Sequence, residues 1–349
     1  MNQFHLNKKK IINDPVFGFI NLQSELVFDL LESPEFQRLR RIKQLGLTYL
    51  VFPGANHSRF EHALGASHLM RQAISVLRLK GHKITNQEAE AVTVAILLHD
   101  IGHAPFSHVL ENTLVEISHE EISLLIMNDL NRQFNGKLDL AIEIFTNQYE
   151  KTFLHQLVSS QLDMDRLDYL TRDSFFTGVN EGIVGIDRII KMLNVWNGQL
   201  VVDAKGIYSI EKFLIARRLM YWQVYLHKTV VAAEFLLINV LKRASELVAN
   251  GITVFATPAL DLFLKNNFTS EDFNKNIVVD GKNVLEWFSL LDDNDILISV
   301  KEWQFHTDLV LSLLAKSIVN RKLFKNELKS KPVSKQVENN ILKQISKNI

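Results

Sequence analysis

The sequence predicts an all-α, mainly helical fold with one or two small β-hairpins. Three observations carry this. Glycine and proline number only 14 and 6 in 349 residues, so few positions interrupt a helix. Long stretches space their apolar residues at three and four rather than at two. Helix-opening signals stand ahead of them. The clearest is Thr85 with Glu88 three residues on, a capping-box spacing before the apolar stripe Ala89, Val92, Ile96 and Leu97.

Taken in order, residues 34–46 read as a short helix with Pro34 in its first turn. Residues 59–79 form a longer helix that closes near Gly81. The helix opened by Thr85 runs to the pair His99-Asp100 and is ended by Gly102 and Pro105. Residues 152–172 make another strong helix, on which Asp165, Tyr169 and Asp173 recur every fourth residue and share a face. The best strand signal is 199–208, read as a hairpin turning near 204–206. A long helix follows from about 210 to 248, with room for a break. Residues 277–284 read as a second minor hairpin, because Asp280-Gly281 suits a two-residue turn. The last 29 residues hold eight Lys or Arg and two Glu. A solvated helical tail is the plain expectation there, and a basic contact for a partner subunit or phosphate is the alternative.

Composition bounds the function. At 47% hydrophobic and 22% charged, the chain is globular rather than disordered. Lys and Arg together number 39, as do Asp and Glu, so no net charge pulls it toward nucleic acid or an anionic membrane. The absence of cysteine excludes disulfides, thiolate zinc sites and cysteine nucleophiles. Lys8-Lys9-Lys10 is followed by Asn13, Asp14 and Pro15, which break any signal-peptide core. No run approaches the roughly 20 apolar residues of a membrane span. A soluble cytoplasmic protein is the expectation.

Chemistry concentrates in a dispersed set of metal-type ligands: His62, the pair His99-Asp100, and Asp165. The pair closes the apolar run Ala95-Ile96-Leu97-Leu98, and four imidazole or carboxylate side chains fall within residues 99–108. Such groups against a buried helix are costly unless something pairs them. A divalent cation does so, because two neutral imidazoles and two carboxylates are an ordinary borderline-hard ligand set. Iron, zinc, manganese, magnesium and nickel all suit it. Asp168 and Arg172, four apart, read as an ordinary helix-surface pair.

Several segments, in order, carry a resemblance. They are Phe36-Gln37-Arg38-Leu39-Arg40-Arg41-Ile42-Lys43-Gln44-Leu45-Gly46, then Phe52 through Gly65 with Asn56-His57-Ser58-Arg59-Phe60-Glu61-His62 at its centre. His99 through His108, His119-Glu120, Asp165 through Asp173 and Tyr225-Leu226-His227-Lys228 follow. Together they resemble the HD-domain phosphohydrolases, most closely the deoxynucleoside triphosphate triphosphohydrolase branch. The resemblance spans about residues 14–230. It implies a catalytic core over 1–230 and a helical C-terminal region over 231–349, packed on the core or used in oligomerisation.

The resemblance implies the largely helical HD-domain fold and gives His62, His99, Asp100 and Asp165 as ligands of one divalent metal ion. That ion polarises a phosphate oxygen and lowers the pKa of water. Water then attacks the α-phosphorus of a dNTP, giving a deoxynucleoside and inorganic triphosphate. By resemblance His108 is the candidate general acid, His103 an α-phosphate contact, and His119 with Glu120 a catalytic pair. Which group activates the water is left open. Arg59, Arg166 and Lys228 become phosphate binders. Gln44, Leu45, Tyr169, Asp173 and Tyr225 fall around the sugar, with Asp173 and Gln44 toward the 3′-OH and Leu45 and Tyr225 against a 2′-OH. A nucleotide activator near Gln37 and Arg40 and a homo-oligomer are further implications. Two other readings stay open: an HD phosphohydrolase of another nucleotide or phosphoester, and a nucleotide- or nucleic-acid-binding protein that uses the same pocket.

Overall fold

The computed structural model describes residues 10–22, 24–106, 109, 113–326 and 333–345. Its axis is the Arg59–Leu79 helix. Phe60, Ala63, Leu64, Ala66, Leu69, Met70, Ala73, Ile74 and Leu77 are all buried, so this helix is enclosed on most sides. It packs against the Asn86–Leu98 and Met164–Thr177 helices. Both early helices open as the sequence requires. The Glu61 carboxylate accepts from the Ser58 N–H at 2.6 Å. Thr85 Oγ1 accepts from the Glu88 N–H at 3.1 Å, and Glu88 accepts from the Thr85 N–H at 2.7 Å.

Three expectations need correction. The helix from Pro34 ends at Arg38 and continues only as a 3-10 turn, Leu39–Arg41. The helix expected over 152–172 is two helices, Thr152–Val158 and Met164–Thr177. The break is chemical: Asp163 accepts from the Arg166 N–H at 2.7 Å and the Ser160 N–H at 2.7 Å, an N-cap that starts a new helix. The hairpin near 200 pairs Leu193–Trp196 with Gln199–Val202 and turns at Asn197-Gly198, both at positive φ. The Asn-Gly signal outweighs the later one, and Ala204–Gly206 is a 3-10 turn into the Ile207–Met220 helix.

The break expected in the long helix after 210 is a π-turn, Tyr221–Tyr225, before the Lys228–Ala249 helix. The Asp280-Gly281 hairpin forms, pairing Val278–Val279 with Lys282–Asn283. The described residues hold more β-structure than expected. An Ile11–Asp14 and Gly18–Asn21 hairpin and a parallel pairing of Val115–Glu116 with Phe268–Thr269 add to the two hairpins foreseen. C-terminal helices close the body: Lys228–Ala249 packs on Leu309–Val319, and Val284–Leu290 packs on Pro34–Arg38 and on His119–Gln133. Among the described residues no single helix is long and apolar enough to cross a membrane.

Candidate metal centre

Three helices bring His62, His99 and Asp100 together and set Asp165 beside the two imidazoles. His62 lies one turn into the Arg59–Leu79 helix, His99 and Asp100 follow the end of Asn86–Leu98, and Asp165 stands in the first turn of Met164–Thr177. His62 Nε2 is 3.4 Å from His99 Nε2, 3.2 Å from Asp165 Oδ1 and 3.7 Å from Asp100 Oδ2. His99 Nε2 is 3.3 Å from Asp100 Oδ1 and 3.6 Å from Asp165 Oδ1. Donors about 2.0–2.2 Å from a shared divalent ion stand about 3.0–3.6 Å from one another. His62, His99 and Asp100 are close enough together to hold a cation, and Asp165 stands beside both imidazoles.

Ring orientation fits as well. His62 Nδ1 donates to Asp168 Oδ2 at 2.7 Å, and His99 Nδ1 donates to Ile96 O at 2.6 Å. Each imidazole thus spends its proton away from the cluster and presents Nε2 toward it, the usual arrangement behind a metal-bound histidine. Burial alone would depress the His62 imidazole, but hydrogen bonds and charge from Asp165 and Asp168 lift it to about 10. His99 is raised against burial by Asp100 and Asp165. Asp100 and Asp165 are held well below the usual carboxylate range, since the neighbouring imidazoles outweigh their burial. The cluster therefore favours a proton on His62 in the metal-free protein, which a bound cation would displace. Adding metal to metal-free protein at pH 8 should therefore release about one proton or more per site, because ligands must be deprotonated. The measurement is calorimetric binding enthalpy in buffers of different ionisation heat. An enthalpy independent of buffer would refute it.

Behind the donors lies a buried ion network. Arg172 grips Asp168 with two bonds of 3.0 Å and Asp14 with one of 2.8 Å. All three residues are buried. The Asp168–Arg172 pair expected on the surface is thus internal, and it orients His62. Gly65 makes room for it: a Cβ there would fall 1.9 Å from Asp168 Oδ1 and 2.2 Å from Arg172 Nη2.

The next wall is imidazole. His103 and His119 stack in parallel with centroids 3.9 Å apart, and His103 Nε2 lies 3.3 Å from Asp100 Oδ1. Gly102 permits this approach, since its Cβ would fall 2.3 Å from Ser123 N and 2.4 Å from His119 O. Ser123 staples the turn, its hydroxyl donating to His99 O at 2.8 Å and accepting from the Gly102 N–H at 2.9 Å. Burial and the Arg59 charge push His103 down to about 3, so it is a neutral imidazole at working pH. Glu120 is exposed, and among the described residues no hydrogen bond or ion pair joins it to this cluster. The capping acid is its neighbour Glu121. His108 lies outside the described residues.

Arg59 is buried and donates from Nη1 to Asp100 Oδ2 at 2.5 Å. Arg166 donates to Asp163 at 2.8 Å and stands 3.8 Å from Asp165 Oδ2. Lys228 is exposed at the start of its helix and, among the described residues, makes no ion pair.

A second polar group lies around Asp173. Its Oδ1 accepts from His57 Nε2 at 2.8 Å and its Oδ2 from Tyr225 Oη at 2.7 Å. Tyr169 meets Tyr225 edge to face at 6.1 Å. Gln44 donates its backbone N–H to His57 O at 3.0 Å, while its side-chain oxygen is buried without a partner. Leu45, half-buried, follows it. Sequence reasoning missed His57 and Asp168. The signal for Asp168 was present, because it stands three residues from Asp165 and so shares its helix face. His57 carried no periodic signal.

A helical cage around two imidazoles and two carboxylates, walled by further histidines, defines a metal-dependent hydrolytic enzyme. The HD domain family profile matches residues 59–173, and the HD associated region matches 184–257. A phosphohydrolase from Bacteroides thetaiotaomicron VPI-5482 has a crystal structure that is 56% identical, with a TM-score of 0.93, covering 97% of this chain and 83% of that one. YwfO of Bacillus subtilis is 35% identical over 326 residues, 91% of this chain and 72% of its own length. The deoxynucleoside triphosphate triphosphohydrolase SAMHD1 homolog of Dictyostelium discoideum is 30% identical over 257 residues, 68% of this chain and half of the relative. The chain belongs to the HD-domain phosphohydrolases, metal-dependent enzymes, on the branch that resembles the deoxynucleoside triphosphate triphosphohydrolases.

Proposed function

We propose that this enzyme hydrolyses deoxynucleoside triphosphates to a deoxynucleoside and inorganic triphosphate. The observation that carries the reading is a metal-type donor cluster beside a buried polar group of sugar-binding character, in which the Gln44 side-chain oxygen lacks a donor. The Dictyostelium relative, named a deoxynucleoside triphosphate triphosphohydrolase, supports it.

His62, His99, Asp100 and Asp165 would hold the divalent ion, which supplies Lewis-acid polarisation and acidifies water when bound. Gln44 and Asp173 bind the 3′-OH, with His57 and Tyr225 fixing the Asp173 carboxylate. Tyr225 and Leu45 crowd the 2′ position, worth about 1–3 kcal/mol against a ribose. Neutral His103 contacts the α-phosphate as a hydrogen-bonding group, and Arg59, Arg166 and Lys228 offset phosphate charge. Water adds to the α-phosphorus, the bond to the 5′-oxygen breaks, and that oxygen takes a proton. His108 is assigned the proton on the sequence resemblance, and His119, stacked on His103, completes the histidine wall, while Glu120 stands outside it. We also propose a nucleotide activator at Gln37 and Arg40, where the Arg40 guanidinium lies 3.5 Å over the Phe60 ring, and assembly into a homo-oligomer.

The test incubates pure protein and a divalent metal with each of the four dNTPs. Inorganic triphosphate with free deoxynucleoside is the expected outcome. Pyrophosphate or orthophosphate as the released product excludes attack at the α-phosphorus.

A further inference from the structure

The Asp293–Trp303 helix begins outside both matched family regions, yet its start contacts segments that flank the candidate site. Leu291 O accepts from Arg38 Nε at 2.7 Å, and Asp292 pairs with Arg41. Arg38 also donates to Ile101 O at 3.4 Å, in the turn that follows His99-Asp100. Asp293 is the centre of this contact. It is only 3% exposed. Its Oδ2 accepts from the backbone N–H of Lys43 at 2.9 Å, and its Oδ1 from that of Phe106 at 3.2 Å.

Those two amides belong to two different walls of the site. Lys43 bridges to Ser58 and leads directly into Gln44 and Leu45. Phe106 lies three residues beyond His103. It holds a φ of 51°, a left-handed conformation that bulky residues avoid. One carboxylate therefore fixes the sugar-side segment and the histidine loop at once. Burial pushes the Asp293 acid up to about 6, so near neutral pH the ionised form, with both oxygens accepting, serves the two amides.

We propose that Asp293 is a positioning residue for hydrolysis, setting the spacing between residues 43–45 and residues 103–106 so that the C-terminal region forms part of the active-site frame. The inference rests on the substrate reading above only for the identity of the groups it positions. Asparagine offers one acceptor oxygen where aspartate offers two, so Asp293→Asn keeps shape and loses one of the two amides.

The experiment uses the full chain, wild type and Asp293→Asn, with Asp293→Ala as the stronger lesion. Metal content should match wild type. Turnover should fall about tenfold or more, because misplacement of reacting groups by a fraction of an ångström is costly. Hydrogen exchange should quicken in peptides covering 43–46 and 103–106, with peptides from 59–73 and 164–177 unchanged. Wild-type kcat and KM alongside a lowered Tm, or faster exchange spread evenly over the chain, would overturn positioning in favour of plain stability. If the wild-type protein leaves dNTPs intact, the substrate reading falls, and the exchange arm still decides: unaltered exchange at 43–46 and 103–106 refutes the inference. If the alanine variant does not fold, the near-isosteric Asp293→Asn variant carries the test.

Discussion

Replacing Asp165 with alanine should give a folded, helical protein that holds no metal and releases no triphosphate. The carboxylate lies 3.2 Å from His62 Nε2 and 3.6 Å from His99 Nε2, where a fourth donor would stand. Groups that merely orient a ligand cost about 10–100-fold in metal affinity or activity when removed, and a direct donor should cost at least the upper end of that range. The fold should survive because the Asp165 side chain is partly exposed, at 24%, and caps nothing. Asp163 begins that helix, and Asp168 carries the buried load. His62 remains oriented by Asp168, and its imidazole should relax downward from about 10 once one of its two carboxylate partners is gone. Elemental analysis, circular dichroism and the product assay together decide. A full equivalent of metal in the variant would remove Asp165 from the donor set.

Gly65→Ala should rank among the most destabilising single changes available. In an ordinary helix interior this substitution stabilises by about 0.8–1.0 kcal/mol. Here the sign reverses. The added methyl meets both partners of a fully buried ion pair, the Asp168 carboxylate and the Arg172 guanidinium. Neither can retreat into solvent, since Arg172 is pinned on its far side by Asp14. Breaking a buried pair typically costs about 3–5 kcal/mol, because charge is left uncompensated. Metal should also bind more weakly, as His62 loses a fixed partner. Denaturant melts of metal-free protein measure the first effect and metal titration the second. An alanine variant more stable than wild type would mean the pair can shift without loss.

Helices and donors were legible in the sequence because both have short-range signatures. Thr85 with Glu88 announces a helix start, and His62, His99, Asp100 and Asp165 are residue types that burial penalises unless a cation gathers them. The break before Met164 was less visible, since Asp163 reads equally well as an acid inside a polar helix face and as a cap. The hairpin register failed because two turn signals, Asn197-Gly198 and 204–206, competed within ten residues. What the sequence conceals is contact across long separations. Asp14 lies 158 residues from Arg172, and Asp293 lies 250 from Lys43 and 187 from Phe106. No periodicity encodes such pairs; only the packed helices create them.

The Asp14–Arg172 contact bears on how this enzyme can be handled. A fragment trimmed to the matched HD segment, 59–173, would carry every donor and still lose one of the two anions that balance the Arg172 guanidinium. It would also shed Gln44, His57 and Tyr225 from the neighbouring subsite. The matched-domain boundaries are therefore a poor guide to an expression clone here, and an N-terminal tag is better separated from the first hairpin by a spacer than fused against it.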